Sequence, residues 1–165
     1  MSDRESKFKK FNFLCKLFYR SEYLRFIRIR NTEDIEATQR KYLRRMLHAN
    51  RNTIYGRQYQ FANIRNYQQF VEQVPLTTYE DYEPYIDRIA KGEKHVLTWE
   101  EVLLFELTSG STKGKKLIPY TKTLKKEFQK GIKPWLYDIF HQVEGVMEGQ
   151  SYWSITPIAN VNIKM

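Results

Sequence analysis

The sequence has little cysteine and little histidine. Cys15 is the single cysteine, and His48, His95 and His141 lie far apart along the chain. A lone cysteine forms no disulfide within a chain, and these histidines match no zinc-ligand spacing. We therefore expect a reducing, cytoplasmic setting and no metal site. None of the histidines has a neighbour in sequence that marks it as a general base, so we assign no catalytic residue to this chain.

Long hydrophobic runs are also absent. No stretch approaches the roughly 18 consecutive apolar residues that a membrane-spanning helix needs, and the N-terminus lacks the apolar core of a secretory signal. Apolar material is nevertheless plentiful, because 41% of the 165 residues are hydrophobic and 15% are aromatic. Such a composition excludes a disordered tail and predicts one folded domain.

Charge is unevenly distributed along the chain. The net charge of +9 divides into +8 for residues 1–51, −4 for residues 52–112 and +5 for residues 113–165. An acidic middle segment disfavours a uniformly basic surface for nucleic acid. We therefore look for two local causes of the positive charge, one at the N-terminus and one after residue 112.

Residues 1–30 predict a basic amphipathic helix, which we treat as a separate N-terminal segment. Lysine and arginine alternate there with apolar side chains at helical spacing: Phe8, Phe11, Leu14, Leu17, Phe18, Leu24, Phe26 and Ile27. Two interpretations stay open. The helix lies on an anionic membrane surface as a peripheral contact, or its apolar stripe packs on the rest of the domain, which is the interpretation we favour.

The rest of the chain predicts further helices followed by strands. Before residue 100 the sequence predicts three helices, from Asn31 or Thr32 to Asn50, from Asn66 to Val74, and from Pro84 to Gly92 after a Thr78–Asp81 capping box. After residue 100 it predicts three strands, at 102–105, 117–119 and 152–155. Between the second and third strands it predicts a helix that is capped by Thr121 or Thr123 and kinked or broken at Pro134. This order predicts an α/β fold in which N-terminal helices lead into a partial sheet.

A segment rich in glycine, hydroxyl groups and lysine follows the first predicted strand. Residues 108–116 read Thr-Ser-Gly-Ser-Thr-Lys-Gly-Lys-Lys. Glycines let backbone N–H groups approach an anion, while hydroxyls and lysine add hydrogen bonds and positive charge, so this composition suits a polyphosphate. The spacing differs from a Walker A loop, because only three residues separate Gly110 from Gly114. A solvated hairpin with lysines for solubility is the alternative.

This string resembles the phosphate-binding loop of acyl-adenylate-forming enzymes. It departs from that loop at two positions, where Lys113 replaces a glycine and Lys115 replaces a proline. The sequence on both sides of this loop is similar to that of the auxin-responsive promoter family of acyl-acid amido synthetases. The resemblance covers roughly residues 35–158. The matching segments keep the family's order: 52–56, 74–75, 79–86, 92–97, 116–121 and 152–155.

The resemblance implies an ATP-dependent, AMP-forming acid–amino acid ligase. It implies that residues 31–165 are the N-terminal part of an acyl-adenylating, ATP-binding domain, truncated and incomplete, and that the phosphates are held by Thr108, Ser109, Gly110, Ser111, Thr112, Gly114 and Lys116. The implied partners are a small carboxylic acid and an amine or amino acid acceptor, with no nucleic acid. ATP and magnesium are the implied cofactors. Ligands for adenine and magnesium are not found in this chain, so we expect the chain alone to be inactive.

Two other functions stay open on sequence grounds. One is a basic nucleic-acid-binding module that uses the N-terminal cations and the 12 tyrosines for stacking. The other is a truncated interaction protein without catalysis. The acidic middle segment speaks against the first, and the missing nucleotide-binding motifs keep the second open.

Overall fold

The computed structural model describes residues 3–31, 35–108, 116–150, 152 and 158–159. The chain divides into two units, which are described separately. Unit 1 combines Met1–Ile35 with Lys125–Ile155, and unit 2 combines Glu36–Leu124 with Thr156–Met165.

Six α-helices, one 3-10 helix and three strands occur in the described residues. Their order along the chain is α1 (Asp3–Asn31), α2 (Ile35–Asn50), α3 (Ile54–Gln58), the 3-10 helix (Phe61–Asn63), α4 (Tyr67–Gln73), α5 (Tyr79–Ala90), β1 (Leu104–Thr108), β2 (Lys116–Tyr120), α6 (Lys122–Gln142) and β3 (Ile158–Ala159). Five α-helices precede the sheet and α6 lies between β2 and β3, which confirms the predicted α/β class.

The predicted caps begin two helices of unit 2. The Asn66 side-chain oxygen accepts the Gln69 N–H at 2.9 Å and begins α4, as predicted. The Thr78 N–H donates to the Asp81 carboxylate at 2.7 Å and begins α5. The prediction that this helix starts at Pro84 is therefore wrong. Pro84 lies inside α5 on an exposed face. Since proline has no N–H, the carbonyl one turn earlier in the helix receives no backbone hydrogen bond, and on this exposed face water can donate one instead.

An antiparallel sheet follows, with strand order β2-β1-β3. In the β1–β2 ladder, Leu104 is paired with Tyr120 and Thr108 with Lys116. The first strand begins two residues later than the run 102–105 predicts, because pairing with β2 sets its extent. Of the strand predicted at 152–155, only Tyr152 is described. It is exposed and belongs to no strand, and the other three residues lie outside the described part.

The core of unit 2 lies between α5 and β1. It contains Ile86 and Ile89 from α5, Val96 from the following loop and Phe105 from β1, each no more than 5% exposed. Gly92, in the left-handed region at φ 92°, ends the turn after α5 at the predicted position. Phe105 is 1% exposed, so the side of β1 that carries this residue is the side that faces the core.

In unit 1, α1 contacts α6 and the turn after it. The Asn12 amide donates to the carbonyls of Met147 and Gly149, at 2.9 and 3.1 Å. The Tyr23 and Tyr137 rings lie 4.5 Å apart between centroids. The Lys133 ammonium lies 4.6 Å from the centroid of the Phe18 ring, so α1 contacts α6 on both sides of Pro134. Since α6 continues through Pro134, the helix is not broken there, and of the predicted kink or break the break is wrong.

The apolar stripe predicted for α1 is not buried. Half or more of the surface is exposed for the following side chains of this helix: Phe11, Phe13, Leu14, Leu17, Phe18, Leu24 and Phe26. Six members of the predicted stripe therefore do not pack within unit 1 (Phe11, Leu14, Leu17, Phe18, Leu24 and Phe26), while Phe8 and Ile27 are half-buried. Within the described part of the chain, no helix has both the length and the apolar character needed to cross a membrane.

Candidate functional site

Two of the seven predicted phosphate-binding residues, Thr108 and Lys116, are described, and they lie on adjacent antiparallel strands of unit 2. Thr108 is the last residue of β1 and Lys116 is the first residue of β2, and their Cα atoms are partners in the ladder. Five more predicted site residues lie between them, outside the described part of the chain: Ser109, Gly110, Ser111, Thr112 and Gly114. The ladder brings together the two ends of segment 109–115, so that segment connects adjacent antiparallel strands.

Lys116 contacts an aromatic ring. Its ammonium nitrogen lies over the Tyr79 ring, 5.0 Å from the ring centroid. Tyr79 is the first residue of α5, directly after the capping threonine. A cation at this distance is attracted by the negative face of the ring. The positive charge of Lys116 therefore has a defined position at the end of the hairpin.

The Tyr79 hydroxyl contacts the same strand. Its oxygen accepts the Leu117 backbone N–H at 2.8 Å and lies 3.5 Å from the Leu117 carbonyl oxygen. One side chain therefore binds both the backbone at the start of β2 and the ammonium of the preceding residue. We did not predict a role for Tyr79, although it lies in segment 79–86, which carries the family resemblance.

The helix that carries Tyr79 is fixed by a cluster of aromatic residues. The Thr77 hydroxyl donates to the Tyr82 hydroxyl at 2.8 Å, which lies 3.4 Å from the hydroxyl of the buried Tyr55. Burial raises the pKa of Tyr55 well above its ordinary value, and the neighbouring phenols raise it further. Tyr55 is therefore a neutral phenol at physiological pH, and the cluster supplies support for α5 without charge.

A separate groove of about 480 Å³ is bordered by residues 92–102, which precede β1. Its lining includes His95 and Trp99. The His95 backbone is left-handed and its carbonyl accepts the Ile54 N–H, so this residue belongs to the scaffold around α3. Among the described residues, no three His, Cys, Asp or Glu side chains come together as metal ligands would.

Two thirds of this chain is similar in fold to part of a solved acyl acid amido synthetase. The structure titled GH3.15 acyl acid amido synthetase aligns with a TM-score of 0.59 and 30% identity, over 66% of this chain and 20% of that one. Residues 28–160 match the model of the GH3 family N-terminal domain. The chain belongs to the GH3 family, which confirms the resemblance seen in the sequence.

Three plant relatives that match this chain are much longer than it. The rice protein "Probable indole-3-acetic acid-amido synthetase GH3.12" is 39% identical over 88 residues, which are 53% of this chain and 14% of the relative. The rice "Jasmonoyl--L-amino acid synthetase GH3.3" is 42% identical over 88 residues, or 53% and 19%. The Arabidopsis thaliana "Indole-3-acetic acid-amido synthetase GH3.15" is 35% identical over 125 residues, or 73% and 20%. The chain therefore spans a fifth or less of the length of these three relatives.

Proposed function

We propose that this chain supplies the phosphate-binding segment of an ATP-dependent, AMP-forming acid–amino acid ligase. Membership of the GH3 family supports the proposal, because the relatives carry the names of amido synthetases. The proposed substrates are a small carboxylic acid, ATP and an amino acid or other amine, in a cytoplasmic setting. We assign no magnesium ligand among the residues of this chain.

The proposed reaction has two steps. A carboxylate oxygen attacks the α-phosphorus of ATP, the bond to the bridging oxygen breaks, and pyrophosphate leaves with the electron pair. The amine then attacks the acyl carbonyl carbon, AMP leaves and the amine loses a proton, which completes the amide. Negative charge accumulates on the pyrophosphate in the first step, and fixed donors placed around it lower that barrier.

The observation that carries the proposal is the position of the Lys116 charge. The β1–β2 ladder fixes both ends of segment 109–115, and Tyr79 lies against the ammonium of Lys116. A cation placed before its ligand arrives loses less freedom on binding than a mobile one. In the proposal, Lys116 binds the β- and γ-phosphates together with two kinds of group from 108–114: hydroxyls (Thr108, Ser109, Ser111, Thr112) and the backbone amides around Gly110 and Gly114.

Direct binding of pyrophosphate to the 165-residue chain tests the phosphate assignment. We expect amide resonances of residues 108–117 to shift in NMR spectra during a pyrophosphate titration. Lys116→Ala should weaken binding about tenfold or more, because a charge-assisted hydrogen bond contributes roughly 1.5 to 3 kcal/mol. Lys122→Ala, at an exposed lysine six residues later, is the matched control. Equal affinity in the Lys116 and Lys122 variants would rule out this assignment.

Catalysis requires the remainder of an amido synthetase, so we expect no pyrophosphate exchange from the chain alone. A chimera in which this chain replaces the matching N-terminal segment of the Arabidopsis GH3.15 enzyme provides that remainder. In it, Lys116→Ala should lower ATP-dependent amide formation tenfold to a hundredfold at saturating acid. A well-folded variant with unchanged kinetics for ATP would contradict the proposal.

Tyr79 gives a finer test in the same chimera. Tyr79→Phe keeps the ring under the Lys116 ammonium and removes the acceptor for the Leu117 N–H, whereas Tyr79→Leu removes both. We expect the leucine variant to raise KM for ATP more than the phenylalanine variant does, with KM for the acid unchanged in both. Equal effects on the two substrates would indicate a general loss of structure.

A further inference from the structure

The side of α1 that faces away from α6 is apolar and exposed. Contacts with α6 and the turn after it involve Asn12, Lys16, Tyr19 and Tyr23, which follow one another at helical spacing. The opposite side, called the outer face here, carries Phe11 at 63% exposure, Leu14 at 63% and Leu17 at 50%, and Phe18 at 66% lies where this face borders α6.

Cations lie among these apolar side chains. Lys10, Arg20, Arg25 and Arg28 are exposed, and within the described residues their side chains form no hydrogen bond or ion pair. Glu22 is the single acidic residue between positions 7 and 30, and it is half-buried. The Lys133 ammonium adds a further positive charge, 4.6 Å from the centroid of the Phe18 ring. The outer face is therefore both apolar and strongly positive.

We propose that the outer face of α1 binds the surface of an anionic lipid bilayer. A helix that lies in the plane of the interface buries its apolar side chains at the boundary between headgroups and acyl chains. Its lysine and arginine side chains meanwhile contact lipid phosphates and carboxylates, and each adds to the affinity. With 29 residues, α1 has a length of about 44 Å, which places many such contacts on one surface.

Two other occupants fit the face less well. A nucleic acid strand would contact the cations, but Leu14 and Leu17 would gain nothing from stacked bases, and Tyr19 and Tyr23 are turned toward α6. A protein partner would require burial of the charges, whereas the centres of protein interfaces are depleted in charged residues. An anionic bilayer surface accommodates both kinds of side chain at once.

Vesicle flotation with the 165-residue chain tests the proposal. One set of vesicles contains phosphatidylcholine with 30 mol% phosphatidylserine as the probe, and the other contains phosphatidylcholine alone. We expect the chain to float with the anionic vesicles and to remain in the dense fraction with the neutral ones. Raising the salt to about 0.5 M should release much of the bound chain, because it screens the charges. Aggregated protein does not float, so flotation separates binding from self-association.

Matched variants assign the binding to the outer face. Leu14→Gln with Leu17→Gln removes apolar area, and Arg25→Gln with Arg28→Gln removes two charges. Each pair should lower the partition coefficient about tenfold or more. Val71→Gln, at an exposed apolar residue of unit 2, and Arg65→Gln with Lys94→Gln, at exposed cations of unit 2, should change it less than twofold.

Four outcomes would overturn the proposal. They are equal flotation with both kinds of vesicle, no flotation at all, normal flotation of both outer-face variants, and equal losses in the unit 2 controls. Binding of single-stranded RNA that depends on Arg25 and Arg28 but not on Leu14 and Leu17 would assign the face to nucleic acid instead. Circular dichroism of each variant checks that α1 remains helical, and a variant that has lost helix is replaced by Leu14→Ala with Leu17→Ala.

Discussion

Unit 2 buries its large apolar side chains, whereas α1 of unit 1 exposes them. Phe105 in β1 is 1% exposed and contacts α5, while Phe11 in α1 is 63% exposed. Unit 2 is held by a contiguous apolar core. The contact of α1 with α6 relies instead on amide hydrogen bonds, stacked rings and the Lys16–Phe140 carbonyl contact.

Similar residue types thus serve two purposes in one chain. Phe105, in a strand that pairs on both sides, packs under α5, whereas Phe11 lies on a side of α1 that the described residues of unit 1 leave exposed. Periodicity specifies burial only where one side of an element is consistently apolar. Lysines and arginines interrupt the apolar side of α1, so its periodicity does not specify burial.

The largest expected effect is a loss of stability on substitution of Phe105, which substitution of Phe11 should not cause. Phe105→Ala should destabilise unit 2 by about 3 to 5 kcal/mol, because it leaves a cavity in the core. Phe11→Ala should change stability by no more than about 0.5 kcal/mol, because most of that ring is in water. Urea denaturation measures both changes, with hydrogen exchange at the β1 and β2 amides as the local measure for Phe105→Ala and at the α1 amides for Phe11→Ala. Equal losses would show that Phe11 is buried.

The second prediction uses two glycines with opposite surroundings. A Cβ on Gly56 would lie 2.0 Å from the Asn50 carbonyl oxygen, whereas a Cβ on Gly131 meets nothing within 4 Å. Gly56→Ala should therefore cost about 1 to 3 kcal/mol. Gly131→Ala, in the exposed middle of α6, should stabilise by about 0.5 to 1 kcal/mol. Melting temperatures should move in opposite directions, and a stabilised Gly56 variant would contradict the close packing of unit 2.

A pH series tests the neutral phenol of Tyr55. Since its pKa is raised in the folded state, the unfolded chain loses this proton first, and stability falls as the pH rises above about 10. Tyr55→Phe should cost about 0.5 to 1.5 kcal/mol at pH 7 through loss of the hydroxyl contact with Tyr82. That deficit should shrink at alkaline pH. A deficit that is constant from pH 7 to 11 would argue against the raised pKa.

The smallest effect concerns an ion pair of unit 1. The Lys9 ammonium lies 2.9 Å from the Glu148 carboxylate, and both side chains are more than half exposed. Exposed pairs contribute little, so Lys9→Ala should change the free energy of unfolding by no more than about 0.5 kcal/mol. Asn12→Ala in the same helix, whose buried amide donates two hydrogen bonds, should cost more. A larger loss from Lys9 than from Asn12 would reverse our description of this contact.

Local signals in the sequence predicted several elements well. The cap at Asn66, the Thr78–Asp81 box and the turn at Gly92 depend on neighbouring residues alone, and each occurs as predicted. Pro84 and Pro134 show the opposite case, because the sequence predicts a helix start at Pro84 and a kink or break at Pro134, whereas both residues lie inside continuous helices. A cap upstream of Pro84 and contacts with α1 around Pro134 outweigh the local cost of each proline.

The candidate site was predictable in part. Composition and resemblance identified residues 108–116, and the pairing of Thr108 with Lys116 is consistent with a loop between two short strands. The contact of Tyr79 with Lys116 and Leu117 joins residues 37 and 38 positions apart. No periodic pattern encodes such a contact, because it depends on how α5 lies against the hairpin.

The β1–β2 hairpin has a consequence for how this family can vary. Since the ladder already holds Thr108 beside Lys116, the chain entropy lost in closing segment 109–115 depends only weakly on its length, at about 0.6 kcal/mol for each doubling. We therefore expect insertions or replacements there to leave the β1–β2 ladder and the core of unit 2 in place. Segment 109–115 contains most of the predicted ligand-binding groups, and we expect that it can be replaced by the corresponding segment of a relative with little loss of stability.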